Sequence, residues 1–124
     1  MWSIKTTDTF DAWLSAQNDT DRACVQAALI VLQQKGPHLP RPWADTVEGS
    51  QYSNMKELRV QSRGEPIRAF FAFDPRRCAI LLCAGNKVGR EKRFYDEMIP
   101  LADREFASYL KKLTEKEQIE WVEH

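Results

Sequence analysis

Glu57, Arg59 and Arg68 fall within one segment, residues 55–74 (MKELRVQSRGEPIRAFFAFD), and Lys87, Lys92, Arg93 and Tyr95 follow it closely. Arginine and lysine can hold a phosphate and stabilise the charge that grows on it, while a carboxylate, an amine or a phenol can move protons at a ribose hydroxyl and a leaving oxygen. Such a set suits phosphodiester cleavage without a metal. The other common chemistries lack their parts. Histidine occurs only at His38, in a Pro-rich stretch, and at His124, and Cys24, Cys78 and Cys83 form no CxxC pair, so neither a zinc site nor a Ser-His-Asp or Cys-His mechanism is expected. No cofactor is expected either. Each candidate also has a structural reading. Arg68 is the one charge in an apolar run and needs a partner, either a salt bridge to Glu57 or a bound anion, and Tyr95 beside Phe94 suits a packed aromatic with a solvated hydroxyl.

The positioning element is a β-hairpin. In its first arm Leu58 and Val60 point one way and Met55, Glu57, Arg59 and Gln61 the other, one face for packing and one charged. Gly64 and Pro66 favour a reversal over residues 62–66, and the aromatic and β-branched residues 67–73 form the second arm. Upstream, residues 2–6 alternate as a short strand, and Thr7 or Asp8 caps a helix with Phe10, Trp13, Leu14 and Gln17 on one face. A second helix over residues 20–35 ends at Gly36-Pro37. Residues 37–53 read as a long connection anchored to the core by Trp43. Residues 78–85 (CAILLCAG) are continuously apolar, the pattern of a strand covered on both faces, on which Cys78 and Cys83 face opposite ways. After a basic loop, residues 91–98 have helical spacing, and Pro100 fits the first turn of a final helix to Leu113. The domain thus covers residues 1–113, followed by a charged, fraying tail over residues 114–124, whose end is compatible with a tag remnant. The fold class is α+β, in the order β-α-α-β-β-β-α: a small, antiparallel-rich sheet with an N-terminal helical hairpin and a C-terminal helix.

At 124 residues, 43% hydrophobic and 29% charged, the chain is expected to be one soluble domain of the cytoplasm, with no leader or bilayer-spanning run. Its net charge of zero hides a basic centre. By residue count, segments 1–54, 55–95 and 96–124 carry net charges of −2, +6 and −4. The central surplus suits a polyanion, and equally a surface paired with the acidic C-terminal helix.

MKELR, then RAFFAFDP (residues 68–75), ILLCAGNK (80–87) and EKRFY (91–95), in this order of elements, resemble the RelE/ParE toxin superfamily, and within it the HigB-like branch of phage-derived Gp49-like proteins. The resemblance covers residues 2–113. It implies a RelE-like fold and a toxin of a type II toxin-antitoxin module, an endoribonuclease that cleaves messenger RNA in the ribosomal A site and is held inactive by a HigA-like antitoxin. By position, Arg68 matches the second-arm arginine that contacts the scissile phosphate, and Arg59 a basic position of the first arm. Lys87 falls where RelE has an arginine, and Tyr95 matches its proton-transferring tyrosine. Glu57 and Met55 replace RelE lysines, which favours a carboxylate base at Glu57. Lys56, Lys92 and Arg93 are expected to hold RNA backbone. Two alternatives stand beside this reading: a ParE-like gyrase inhibitor, and a non-catalytic phage-derived interaction protein.

Overall fold

A computed structural model describes the backbone of residues 1–123 and the side chains as far as Lys116. The expected order of helices and strands is present. β1 (Ser3–Thr6), α1 (Asp8–Ser15) and α2 (Asp19–Lys35) precede the strands β2 (Ala44–Thr46), β3 (Lys56–Ser62), β4 (Glu65–Phe73) and β5 (Cys78–Asn86), and α3 (Glu91–Glu123) closes the chain. The sheet order is β1-β5-β4-β3-β2, with β1 parallel to β5 and the other pairs antiparallel. One core, with Phe10, Val25, Leu32, Leu58 and Phe71, lies under α1 and α2; the other, with Met55, Phe70, Phe94 and Phe106, lies under α3.

Local chemistry explains the element ends. Thr7 accepts the Phe10 N–H and Asn18 accepts the Asp21 N–H, each as an N-cap. The β3–β4 turn is tighter than residues 62–66, for only Arg63 (φ 54°) and Gly64 (φ 76°) lie between the strands. Two left-handed residues give the two-residue turn that matches strand twist.

Several expectations need correction. The stretch read as one long connection contains β2, too short to show alternation. Trp43 beside it is 51% exposed rather than a core anchor. Pro100 does not start a helix; it lies inside α3, which passes unbroken through Leu113. α3 continues through the stretch read as a tail as far as Glu123, while His124, the end of the supposed tag remnant, lies outside the described residues. On the charged side of β3, Glu57 is buried beneath α3, Arg59 is half-buried and Gln61 is exposed. Finally, Cys78 and Cys83 face the same side, both packed under α3. A bulge explains this: Phe70 pairs with Cys83 but Phe71 with Leu81, so Leu82 is the extra residue on β5 and the alternation shifts by one.

Candidate functional site

The bulge also decides what faces α3 at the end of β5. Beyond it Gly85 stands opposite Arg68, and Arg68 is the ladder partner of Arg59. The neighbouring row across the sheet reads Asp45, Glu57, Phe70, Cys83. Side chains paired across strands share a face, so two rows bring Glu57, Arg59, Arg68 and Asp45 together. Gly85 has no side chain because α3 lies close above it: a Cβ there would stand 2.9 Å from Cε1 of Phe94.

Phe94, fully buried, seats the first turns of α3 on the sheet, and the next residue is Tyr95. Edge contacts to Phe70 and Phe94 hold the Tyr95 ring, with centroids 6.0 and 5.4 Å apart. Its hydroxyl then reaches Glu57, the ladder partner of Phe70, and donates to Oε1 at 2.5 Å. Glu57 is buried. Its Oε2 accepts from Arg59 Nε at 3.2 Å, and Arg68 Nε lies 3.9 Å from Oε1, an ion pair without a hydrogen bond. Arg68 spends Nη1 on the Ile67 carbonyl, 3.0 Å away, and its buried Nε has no hydrogen-bond acceptor among the described residues. Lys87 lies 5.6 Å from the Tyr95 ring centroid and pairs with Glu91 at 3.1 Å.

Burial, and next the hydrogen bond to the Glu57 carboxylate, push the Tyr95 phenol up to about 12. At neutral pH Tyr95 is therefore a proton donor. Asp45 extends the network, accepting from Arg59 Nη2 at 3.2 Å and from Arg41 Nε at 3.1 Å. The bond to Arg41, aided by the Thr46 N–H and by Arg59, holds the Asp45 carboxyl below the usual range.

Five of the residues singled out in the sequence, Glu57, Arg59, Arg68, Lys87 and Tyr95, thus meet on the α3 face. Lys92 is exposed nearby and shares a groove with Tyr95. Arg93 is exposed and pairs with Glu97 at 3.3 Å, with no contact to the cluster among the described residues. Lys56 does not join them: it pairs with Phe71, on the α1–α2 face of the sheet. Sequence reasoning missed Asp45, because β2 was unseen, and Asp103 of α3, which ties the β2–β3 loop down by accepting from Ser50 Oγ and the Gln51 N–H. A polar residue among the apolar positions of a helix was the available signal for Asp103. Among the described residues no group of three or more His, Cys, Asp or Glu could hold a metal, and no helix is long and apolar enough to cross a membrane.

Comparison with known proteins places this geometry in a family. Residues 12–107 match the family described as phage-derived protein Gp49-like. Two candidate toxins of Mycobacterium tuberculosis are similar to the chain. HigB2 is 50% identical over 100 residues, covering 80% of this chain and 50% of HigB2; HigB3 is 46% identical over 100 residues, covering 81% and 86%. The match therefore spans about half the length of HigB2. A double arginine-to-alanine variant of the E. coli toxin RelE, in its free state, superposes with a TM-score of 0.54 at 10% identity, covering 75% of this chain and 90% of RelE. That likeness concerns the fold. The chain belongs to the phage-derived Gp49-like family, in the branch of the HigB toxin homologues, on a RelE-like fold.

Proposed function

We propose that this chain is the toxin of a type II toxin-antitoxin module, a ribosome-dependent endoribonuclease that cuts messenger RNA without metal in the cytoplasm and is neutralised by a HigA-like antitoxin. The observation that carries the reading is the Glu57 carboxylate, buried between a phenol at 2.5 Å and two arginines, one of which keeps a buried Nε without a hydrogen-bond acceptor among the described residues. A buried donor with no partner is a cost that a bound anion removes.

The steps follow from the groups present. Glu57 takes the proton of a ribose 2′-hydroxyl as that oxygen attacks the adjacent phosphorus. Arg68, Arg59 and Lys87 stabilise the charge on the phosphate oxygens. Tyr95, held protonated by its surroundings, gives its proton to the departing 5′-oxygen. A cyclic 2′,3′-phosphate and a 5′-hydroxyl result, and the proton on Glu57 returns to Tyr95 along their hydrogen bond. Lys92 contributes a cation toward the RNA backbone. Arg93 and Lys56, outside the cluster, remain candidates for more distant backbone contacts.

The test is transcript-end mapping after induction, with and without ribosome association. New 5′ ends at ribosome-bound codons are expected, and they vanish with Arg68→Ala. Intact transcripts with damaged DNA would replace this reading by a gyrase inhibitor, and the absence of any growth effect by a non-catalytic interaction protein.

A further inference from the structure

The α1–α2 layer leaves part of β3 uncovered. Along α2, Cys24, Ala27, Ala28 and Val31 recur at helical spacing with small side chains, and the half-exposed Trp43 stands opposite them across a groove of ≈ 860 Å³. β2 gives way at its start: the Trp43 carbonyl accepts the Arg59 N–H at 2.8 Å, and among the described residues no strand continues the ladder beyond it. The β3 edge at Gln61, which also lines the groove, is thus open to another chain.

Both charged residues in the groove wall are arginines, and they are Arg59 and Arg68, the pair that flanks Glu57. One wall therefore serves two spaces, the phosphate-binding cluster and an apolar trough. Methyl, thiol and isopropyl groups along the helix side do not solvate a sugar-phosphate chain, but they do accept apolar side chains.

We propose that this groove is where the antitoxin docks, through an acidic segment whose apolar side chains fill the trough and whose carboxylate pairs with Arg59 and Arg68. Neutralisation is then competitive at the level of single groups, because the carboxylate occupies the guanidinium donors that hold the phosphate. The inference rests on the proposed toxin function and names the partner surface of that same site.

The experiment uses the full chain, induced alone or together with the antitoxin, defined as the protein whose co-expression restores growth. Ala27→Arg fills the groove from an exposed helical position outside the catalytic cluster, and Gln26→Arg places the same side chain on an exposed face of α2 turned away from the groove. Both variants are expected to arrest growth and cut transcripts, which also proves that they fold. Ala27→Arg should escape neutralisation, with antitoxin binding weakened at least about tenfold, whereas Gln26→Arg should remain neutralised. An Ala27→Arg toxin that is still bound and silenced like the wild type overturns the docking site. Loss of cleavage in Ala27→Arg alone, with soluble protein of unchanged circular dichroism, overturns the choice of partner and assigns the groove to RNA or the ribosome. Wild-type chain that neither slows growth nor cuts transcripts overturns the toxin reading and this proposal with it, a failure distinct from the other two.

Discussion

Asp21 and Glu57, two of the four buried carboxylates among the described residues, lie on opposite sides of the sheet, and each pairs with an arginine and accepts from a hydroxyl at 2.5 Å. Asp21 of α2 accepts from Ser62 Oγ, from Arg63 Nε and Nη2, and from Asn18 Nδ2. Every donor comes from the helix's own cap or from the tip of the β3–β4 hairpin. Asp21 thus pins α2 to the turn, and among its partners the arginine Arg63 is half exposed and free to stay solvated. Glu57 looks similar on paper and is arranged differently. Its partners arrive from β3, β4 and α3, and Arg68, only 11% exposed, stays 3.9 Å away with an Nε that has no hydrogen-bond acceptor among the described residues. A structural ion pair is saturated by local partners; this one holds a cation short of saturation, which stability alone does not reward.

The sharpest way to break that comparison is to remove one arginine from each side. Arg68→Ala should lower transcript cleavage by about 10²–10³-fold, the scale of losing one donor to the transition-state charge, with little change in Tm, since Glu57 keeps Arg59 and Tyr95. Arg63→Ala should do the reverse, leaving cleavage unchanged and lowering Tm. Cleavage assays and thermal melts on the same two proteins check both halves, and equal activity losses would erase the distinction. Asp45→Asn should have a smaller effect, about tenfold or less, because Asp45 acts through Arg59 and contributes no group of its own to the reaction. Its signature is a loss of cleavage, with only a small drop in Tm, that Asp45→Glu partly restores.

Much of the Glu57 side was legible in the sequence, and the reasons are specific. Alternation in β3 put Glu57 and Arg59 on one face, and the motifs of the family carried Lys87 and Tyr95. Two things were not legible. The bulge at Leu82 gives no sign in a run of apolar residues, yet it sets the parity by which Gly85 faces α3 opposite Arg68, at the end of the strand that leads into Lys87. Burial of Glu57 on the charged face was hidden as well, because the covering helix is remote in sequence and Pro100 suggested a break where there is none. The Asp21 cluster was invisible for a related reason: Ser62 and Arg63 read as turn residues, and only tertiary packing brings them to α2.

The smallest effects, and the ones that compare the two sides in a single measurement, lie in the pH dependence of stability. Arg63, and next Ser62, hold the Asp21 carboxyl below its ordinary 3.8. A lowered folded value means that the unfolded chain binds the proton more readily. The stabilisation from Asp21 is therefore complete above about pH 4 and is lost as the pH falls through the lower folded value. Asp45 adds to the same acid limb. Tyr95 has the opposite sign. Its phenol is raised from 10.0 to about 12, so its contribution is intact below pH 10 and disappears as the pH climbs toward 12, where the unfolded chain has already ionised. Tyr109, raised by burial and by Asp74, shares that alkaline limb, which makes the difference between wild type and Tyr95→Phe the quantity to measure. Chemical denaturation across the pH range should show Asp21→Asn reducing the slope of the acid limb alone and Tyr95→Phe reducing the slope only between about pH 10 and 12. A Tyr95→Phe curve parallel to wild type there would mean that the phenol is not held protonated by Glu57 and its surroundings, and the proton donor assigned to the cleavage step would have to be sought elsewhere.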